Sequence, residues 1–119
     1  MNISAGGVLP FHGFLAQYGA AKAALNSYTK SLAKELAPAG IRVNLVTPGA
    51  IVTPGGDEGR KMLTSAMGIT TAQLFKAIPL GLAGTAEEMA EMIAFLVSDR
   101  ASYITGHNHF VTGGMGEIS

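Results

Sequence analysis

Cysteine and tryptophan are both absent from the 119 residues, and charged residues are scarce. Without cysteine the chain has no disulfide framework and no thiolate metal site. This absence is compatible with a reducing cytoplasm, and we predict a cytoplasmic protein. Charged residues make up 13% of the chain and divide into eight basic and eight acidic residues, so the formal net charge is zero. A chain without net charge does not attract nucleic acid or an anionic membrane over long distances, and we predict neither as a partner.

Long apolar runs are absent too. No uninterrupted apolar stretch approaches the roughly 18 residues that a membrane-spanning helix needs. Residues 1–7 carry neither the basic cluster nor the apolar run of a signal peptide. Hydrophobic residues nevertheless make up 48% of the chain, which is enough to form a core and excludes a highly charged disordered protein. The length predicts one domain.

The pattern of apolar and turn-forming residues predicts alternating strands and helices. Residues 1–5 are typical of the end of a strand, and residues 8–14 of a loop. Apolar side chains recur every three or four positions over residues 14–37, which predicts a long helix ended by Pro38 and Gly40. Residues 41–47 and 107–112 are typical of strands. This order predicts a parallel α/β sheet.

Shorter helices are predicted between the last two strands. The glycine-rich residues 50–68 predict a mobile loop with one short helix around 60–67, and residues 71–77 predict another short helix. Thr85 and Glu88 form a capping box that opens a helix ending near Ser98. Three parallel strands make a thin sheet, and the first looks cut short, so we expect this chain to be part of a larger unit.

Tyr18 and Lys22 lie four residues apart in the long predicted helix. Side chains at that spacing are neighbours on one helical face. An ammonium near a phenol favours the phenolate and lowers the tyrosine pKa. Such a tyrosine can exchange a proton with a hydroxyl or carbonyl group. The alternative interpretation is a surface lysine beside a half-buried tyrosine.

Four segments in order resemble the C-terminal half of the short-chain dehydrogenase/reductase family. They are the Asn-Ile-Ser of residues 2–4, the Tyr-x-x-x-Lys of residues 18–22, the strand and Pro-Gly loop of residues 41–53, and the closing signature of residues 79–114. The resemblance implies the C-terminal part of a Rossmann-type, doubly wound parallel sheet with three α/β/α layers, whose N-terminal half is missing. Residues 1–119 then form a single partial domain.

The resemblance also implies an activity, the NAD(P)-dependent oxidation or reduction of an alcohol/carbonyl pair in a small molecule. Tyr18 corresponds to the general acid/base of the family. Lys22 corresponds to the lysine that lowers the tyrosine pKa and hydrogen-bonds the nicotinamide ribose. Whether the cofactor is NAD or NADP, which substrate is used and in which direction the reaction runs are not readable from these residues.

The third catalytic position is ambiguous. In the family a serine at the preceding strand end orients the carbonyl oxygen, usually thirteen residues before the tyrosine. That count gives Ala5, whereas Ser4 lies one position earlier, where the strand pleat points its hydroxyl to the opposite face. A one-residue adjustment at Gly6 and Gly7 would bring Ser4 into place, so both readings stay open and Ser4 is the candidate.

The resemblance assigns the cofactor contacts to the loop after the second strand. Pro48 and Gly49 form its turn, and the backbone at Ile51 with the side chain of Thr53 matches the groups that hold the nicotinamide carboxamide. Residues 54–79 correspond to a substrate lid.

The glycine-rich phosphate loop of the family has no counterpart in this sequence. We therefore expect this chain alone to bind a dinucleotide weakly or not at all and to be inactive by itself. The competing hypothesis is a non-catalytic half-domain that acts as an oligomerisation or interaction module.

Two further expectations concern partners and metals. The second face of the Tyr–Lys helix, with Ala24, Ser27, Tyr28, Ser31 and Leu32, predicts a homo-oligomer formed through that helix. His107 and His109 alternate on a strand and face the same side. Because no third ligand is evident, we predict no metal site. His12, in the loop before the helix, is a weaker candidate for a substrate contact.

Overall fold

The structure is a computed structural model that describes residues 1–5 and 16–116. Within this part of the chain the strands are β1 (Asn2–Ile3), β2 (Leu45–Pro48), β3 (Ile51–Val52), β4 (Gly84–Thr85) and β5 (Asn108–Val111). The α-helices are α1 (Ala16–Leu36), α2 (Pro54–Met67), α3 (Thr71–Lys76) and α4 (Ala86–Val97). The predicted loop at 8–14, with His12, lies outside the described residues.

Strands β1, β2 and β5 form a parallel sheet in that order, with β2 in the centre. Ile3 is in register with Val46, so the two side chains share one face, and Asn2 and Ser4 project to the other. Val46 packs against Met89 and Leu96 of α4. Asn2 and Ser4 hydrogen-bond to α1. Helices therefore cover both faces of the sheet, which confirms the predicted three-layer α/β/α architecture.

Helix α1 matches the prediction for residues 14–37 over the part that the structure describes. The chain leaves the helix through a 3₁₀ turn at Ala37–Ala39, and Gly40 follows with a left-handed backbone at φ 75°. A side chain at this position would be strained, which is why glycine suits the turn. The capping box is also confirmed, because the Glu88 amide donates to the Thr85 hydroxyl and the Glu88 carboxylate accepts from the Thr85 amide at the start of α4.

The short helix predicted around residues 60–67 is present as the second half of α2, whereas the loop predicted before it is wrong over residues 54–59, because the helix begins at Pro54. Strong end signals outweigh its glycines. The Thr53 hydroxyl accepts from the Gly56 amide, Pro54 occupies the first turn, and Gly68 closes the helix at φ 67°. Local caps decided this segment, whereas the prediction gave most weight to composition.

The predicted strand at 41–47 begins later, at Leu45. The preceding residues make backbone hydrogen bonds at Val43 and Asn44 and are also tied to the 96–105 segment through side chains. The Asn44 amide donates to the Ile104 carbonyl at 2.8 Å, and the Thr105 hydroxyl accepts from the Val43 amide at 3.0 Å. A second, two-stranded parallel sheet of β3 and β4 was not predicted, because two-residue strands carry no alternating pattern.

Candidate functional site

Tyr18 and Lys22 lie one turn apart near the start of the described part of α1. The Lys22 ammonium nitrogen is 5.7 Å from the centroid of the Tyr18 ring, and the helix between them is continuous. Tyr18 is 46% exposed, so about half of the residue's surface faces solvent. The structure thus brings the two predicted residues together in a geometry typical of a cation–π contact.

Lys22 also joins the helix to the sheet. Its ammonium donates to the Ile3 carbonyl at the end of β1, at 3.0 Å. On either side of this bond, the Asn2 side-chain amide donates to the Thr29 hydroxyl at 2.9 Å, and the Ser4 hydroxyl donates to the Asn26 carbonyl oxygen at 2.7 Å. We call these three hydrogen bonds the strand–helix clamp. These three bonds fix the rotation of α1 about its axis and its position along that axis relative to the end of β1.

Ser4 is 3% exposed, and its hydroxyl proton is engaged with Asn26. It shares the face of Asn2, which turns it toward the middle of α1. Ala5, the residue that lies thirteen positions before Tyr18, is half-buried. Gly6 and Gly7, where a backbone adjustment would act, lie outside the described residues. The catalytic role of Ser4 therefore stays a prediction.

The loop after β2 is shaped by close backbone contacts. A side chain at Gly49 would place its Cβ 2.7 Å from the Thr112 Cα, so only glycine fits beside the residue that follows β5. Pro48 ends β2, and Ile51 pairs with Gly84 in the small sheet. The Thr53 hydroxyl is held as the N-cap of α2, where it accepts from the Gly56 amide at 2.9 Å.

The two groups of predicted site residues sit at the same edge of the main sheet. Because the strands are parallel, the carboxyl ends of β1 and β2 are neighbours, with Lys22 at the first and the segment 48–53 after the second. In open parallel α/β sheets, ligands bind outside the carboxyl ends of the strands. The arrangement presents a phenol, an ammonium and a hydroxyl, which suits a polar ligand that undergoes proton transfer.

His107 and His109 are neighbours on and beside β5, with ring centroids 6.3 Å apart. Burial, and to a smaller extent the charge of His107, lowers the pKa of His109 below 6.5. No cluster of three or more metal-ligating side chains occurs among the residues that the structure describes. Nor does any helix in the described ranges combine the length and apolar character needed to cross a bilayer.

Sequence reasoning missed Asn26, Thr29 and Arg60. The spacing contained a signal for Asn26, which continues the Tyr18–Lys22 row by another four residues. Arg60 gave no signal because its partners outside its own helix, Ile51 and Phe75, become neighbours only in the folded chain.

Comparison with known proteins gives consistent results. A family model described as enoyl-(acyl carrier protein) reductase matches residues 2–116. The chain is 48% identical over 105 residues to a cyclohexanol dehydrogenase of Rhodococcus and 43% identical over 104 residues to the 3-oxoacyl-(acyl-carrier-protein) reductase FabG of Escherichia coli. These matches cover 87% of this chain, which spans 36% and 40% of the two relatives.

Solved structures agree with the sequence matches. A crystal structure of an F189W variant of the actinorhodin polyketide ketoreductase with NADPH superposes with a TM-score of 0.87 at 32% identity. The superposition covers 98% of this chain and 46% of that one.

Proposed function

The chain belongs to the short-chain dehydrogenase/reductase family of oxidoreductases, and from this premise we propose that it supplies the proton-transfer half of an NAD(P)-dependent alcohol/carbonyl oxidoreductase. The observation that carries the proposal is the Tyr18–Lys22 pair on one continuous helix, anchored at the carboxyl end of β1. The chain spans less than half the length of the relatives named above, so the activity is that of the complete fold.

Tyr18 is the acid/base of the proposed reaction. In the reductive direction its phenol gives a proton to the developing alkoxide, and in the oxidative direction its phenolate takes the proton of the alcohol. Lys22 stands beside the ring, with its ammonium nitrogen 5.7 Å from the ring centroid. The nicotinamide, when bound, supplies or accepts the hydride. Binding the cofactor ribose requires Lys22 to exchange its Ile3 carbonyl bond for ribose hydroxyls, or to share its three donors between them.

The segment 48–53 is proposed to hold the nicotinamide carboxamide. Thr53 already accepts a hydrogen bond as the cap of α2, which leaves its hydroxyl proton to donate to a ligand oxygen. The backbone of Ile51 lies two residues before it on β3, and the Pro48–Gly49 turn brings both to the sheet edge. These groups fit an amide, which needs one donor and one acceptor.

A second candidate function is a non-catalytic module, and one observation favours it. The Ser4 hydroxyl is buried and occupied by Asn26, and Ala5 brings no hydroxyl to the neighbouring position. Loss of one donor to a developing oxyanion lowers turnover by about 10²- to 10³-fold. Under this alternative the chain retains the scaffold but catalyses poorly.

A chimera separates the two functions. The part of the Escherichia coli relative that precedes the matched segment is joined to this chain, and reduced nicotinamide is followed with a 3-oxoacyl thioester or cyclohexanone as substrate. We expect turnover above background, and Tyr18→Phe should lower kcat by about 10²- to 10⁴-fold. Tyr28→Phe, a matched substitution at an exposed tyrosine of the same helix, should leave kcat unchanged.

A chimera that folds and binds dinucleotide without turnover would overturn the enzymatic proposal and support the alternative. In that case Ala5→Ser provides a further check, because a restored hydroxyl should raise turnover if only the oxyanion donor is lacking. Calorimetric titration of the 119-residue chain itself with NADH and NADPH completes the comparison. We expect weak or no binding by this chain alone, and micromolar affinity would contradict that expectation.

We further propose that copies of this chain associate through α1. Only Thr29 and Ala33 of this helix are buried, and the adjacent Tyr28 is 60% exposed. Ala23→Glu and Ala24→Glu form a matched pair, since consecutive helical residues point about 100° apart. We expect light scattering to show a dimer for the unsubstituted chain and for Ala23→Glu, and a monomer for Ala24→Glu. A monomer in all three would contradict the proposal.

A further inference from the structure

Arg60 is a nearly buried charge whose guanidinium contacts three different elements. It lies in the middle of α2, and its side chain is only 12% exposed. A charge in such a position is costly unless its donors are satisfied, so its partners indicate what it holds together.

The first partner is Ile51. One guanidinium nitrogen of Arg60 donates to the Ile51 carbonyl at 3.0 Å, which links α2 to β3. Strand β3 has two residues and pairs with the equally short β4, so its own ladder constrains it weakly. The Arg60 bond thus adds a charged hydrogen bond to the segment that ends at Thr53, and such bonds are about twice as strong as neutral ones.

The second and third partners belong to the two helices. Arg60 forms an ion pair with Asp57 in the first turn of α2. Its guanidinium carbon also lies 5.3 Å from the centroid of the Phe75 ring in α3, which is a cation–π distance. The same group therefore connects α2 with α3 as well as with β3.

Gly56 shows how tightly this junction is built. A Cβ at Gly56 would lie 2.7 Å from the Thr53 hydroxyl and 3.2 Å from the Ile51 carbonyl. The backbone of α2 therefore passes directly beside the two groups that the proposed function assigns to the cofactor. Small movements of α2 must then displace Thr53 and Ile51 as well.

We propose that Arg60 is a positioning residue that locks the segment 51–53 to the helix pair α2–α3, so that the lid and the carboxamide-binding groups move as one body. The connection of β3, α2 and α3 through Arg60, which we call the Arg60 lock, follows from the contacts. Its consequence for catalysis rests on the proposed function. Binding of the nicotinamide at Ile51 and Thr53 would then order the helices that cover the substrate, and the reverse coupling follows by linkage.

Amide hydrogen exchange on the 119-residue chain tests the Arg60 lock and does not require the chain to be catalytically active. Arg60→Met keeps the apolar stem and removes the donors, and Lys61→Met is the matched control at the exposed neighbouring position. We expect Arg60→Met to raise exchange in residues 51–53, in α2 and in α3 together, by about tenfold or more. Strand β2 and the Lys61→Met variant should keep their exchange rates.

Arg60→Lys retains the charge but loses the planar fork, so it should give an intermediate effect confined to the same three segments. Faster exchange in α2 alone would overturn the proposal, because Arg60 would then serve only its own helix. Uniformly faster exchange that includes β2 would overturn it as well, since the effect would be one of global stability.

The chimera described above gives the catalytic readout. Arg60→Met should raise the KM for the dinucleotide by about tenfold, with a smaller effect on kcat. An unchanged KM would refute the coupling to the cofactor segment even if the exchange result stands. If the unsubstituted chimera is inactive, the proposed function fails, while the exchange measurement still decides whether Arg60 locks the three elements.

Discussion

The two faces of the main sheet are held to their helices by different forces. On the α4 face, hydrocarbon side chains form the core, with Val46, Leu96 and Ala101 each no more than 1% exposed. On the α1 face, the buried side chains of Leu45 and Ala33 are supplemented by the strand–helix clamp of three hydrogen bonds, and the 21-residue helix buries only Thr29 and Ala33.

The difference separates stability from placement. Apolar contacts are non-directional, so they stabilise the fold without fixing a side chain to a fraction of an ångström. Hydrogen bonds add little net stability but specify distance and angle. The helix that carries Tyr18 and Lys22 is therefore positioned by directional hydrogen bonds in addition to its apolar contacts. Substitutions on the two faces should separate these contributions.

Leu96→Ala should give the largest effect. Leu96 is 1% exposed in the α4 core, and shortening it removes buried hydrocarbon and leaves a cavity. We expect the free energy of unfolding to fall by about 2–5 kcal/mol, as measured by urea denaturation. Val97→Ala is the neighbouring control, since Val97 is 59% exposed and should cost less than about 0.5 kcal/mol. Equal losses for both would mean that the α4 face is not a packed core.

Arg42→Met should rank second. The Arg42 guanidinium donates to the carbonyls of Leu96, Ser98 and Ile104 at 2.8, 3.1 and 3.2 Å, so it joins the end of α4 to the segment that leads into β5. We expect a loss of about 1.5–3 kcal/mol, because hydrogen bonds to charged groups contribute in that range.

The control for Arg42 is Arg100→Met. Arg100 is exposed and lies over the Phe95 ring at 5.6 Å, a contact worth about 0.5–1 kcal/mol at such a site. If Arg42→Met cost no more than Arg100→Met, the three carbonyl bonds would have no role in holding the α4 face.

Local patterns were predictable from the sequence, and long-range partners were not. The neighbouring Tyr18 and Lys22, the end of α1 and the Thr85–Glu88 cap all depend on residues within four positions. The destination of the Ser4 hydroxyl depends on how far α1 slides along β1, which is set by packing over 22 residues of separation. The loop wrongly predicted at residues 54–59 has a local cause instead, since the caps at Thr53 and Gly68 stabilise a helix in spite of its glycines.

Asn26→Ala addresses the polar face directly and should have a smaller effect than either change above. It leaves the buried Ser4 hydroxyl without its acceptor, and we expect a loss of about 1–2 kcal/mol. The double variant with Ser4→Ala should cost less than the sum of the two single variants, because both lose the same bond. Urea denaturation of all four proteins measures this coupling, and strict additivity would show that the pair does not contribute to the clamp.

His109→Gln should give the smallest effect, visible only as a change in pH dependence. Burial, with a lesser contribution from His107, lowers the pKa of His109 in the folded state. The unfolded chain then binds more protons between that pKa and the ordinary value of 6.5, so the stability is complete above pH 6.5 and falls as the pH drops below it. His109→Gln should flatten this fall, and His107→Gln should reduce it less because the charge of His107 is the secondary cause. Denaturation midpoints at acidic and neutral pH measure how steeply the stability depends on pH. The same dependence in all three proteins would show that His109 does not contribute to it.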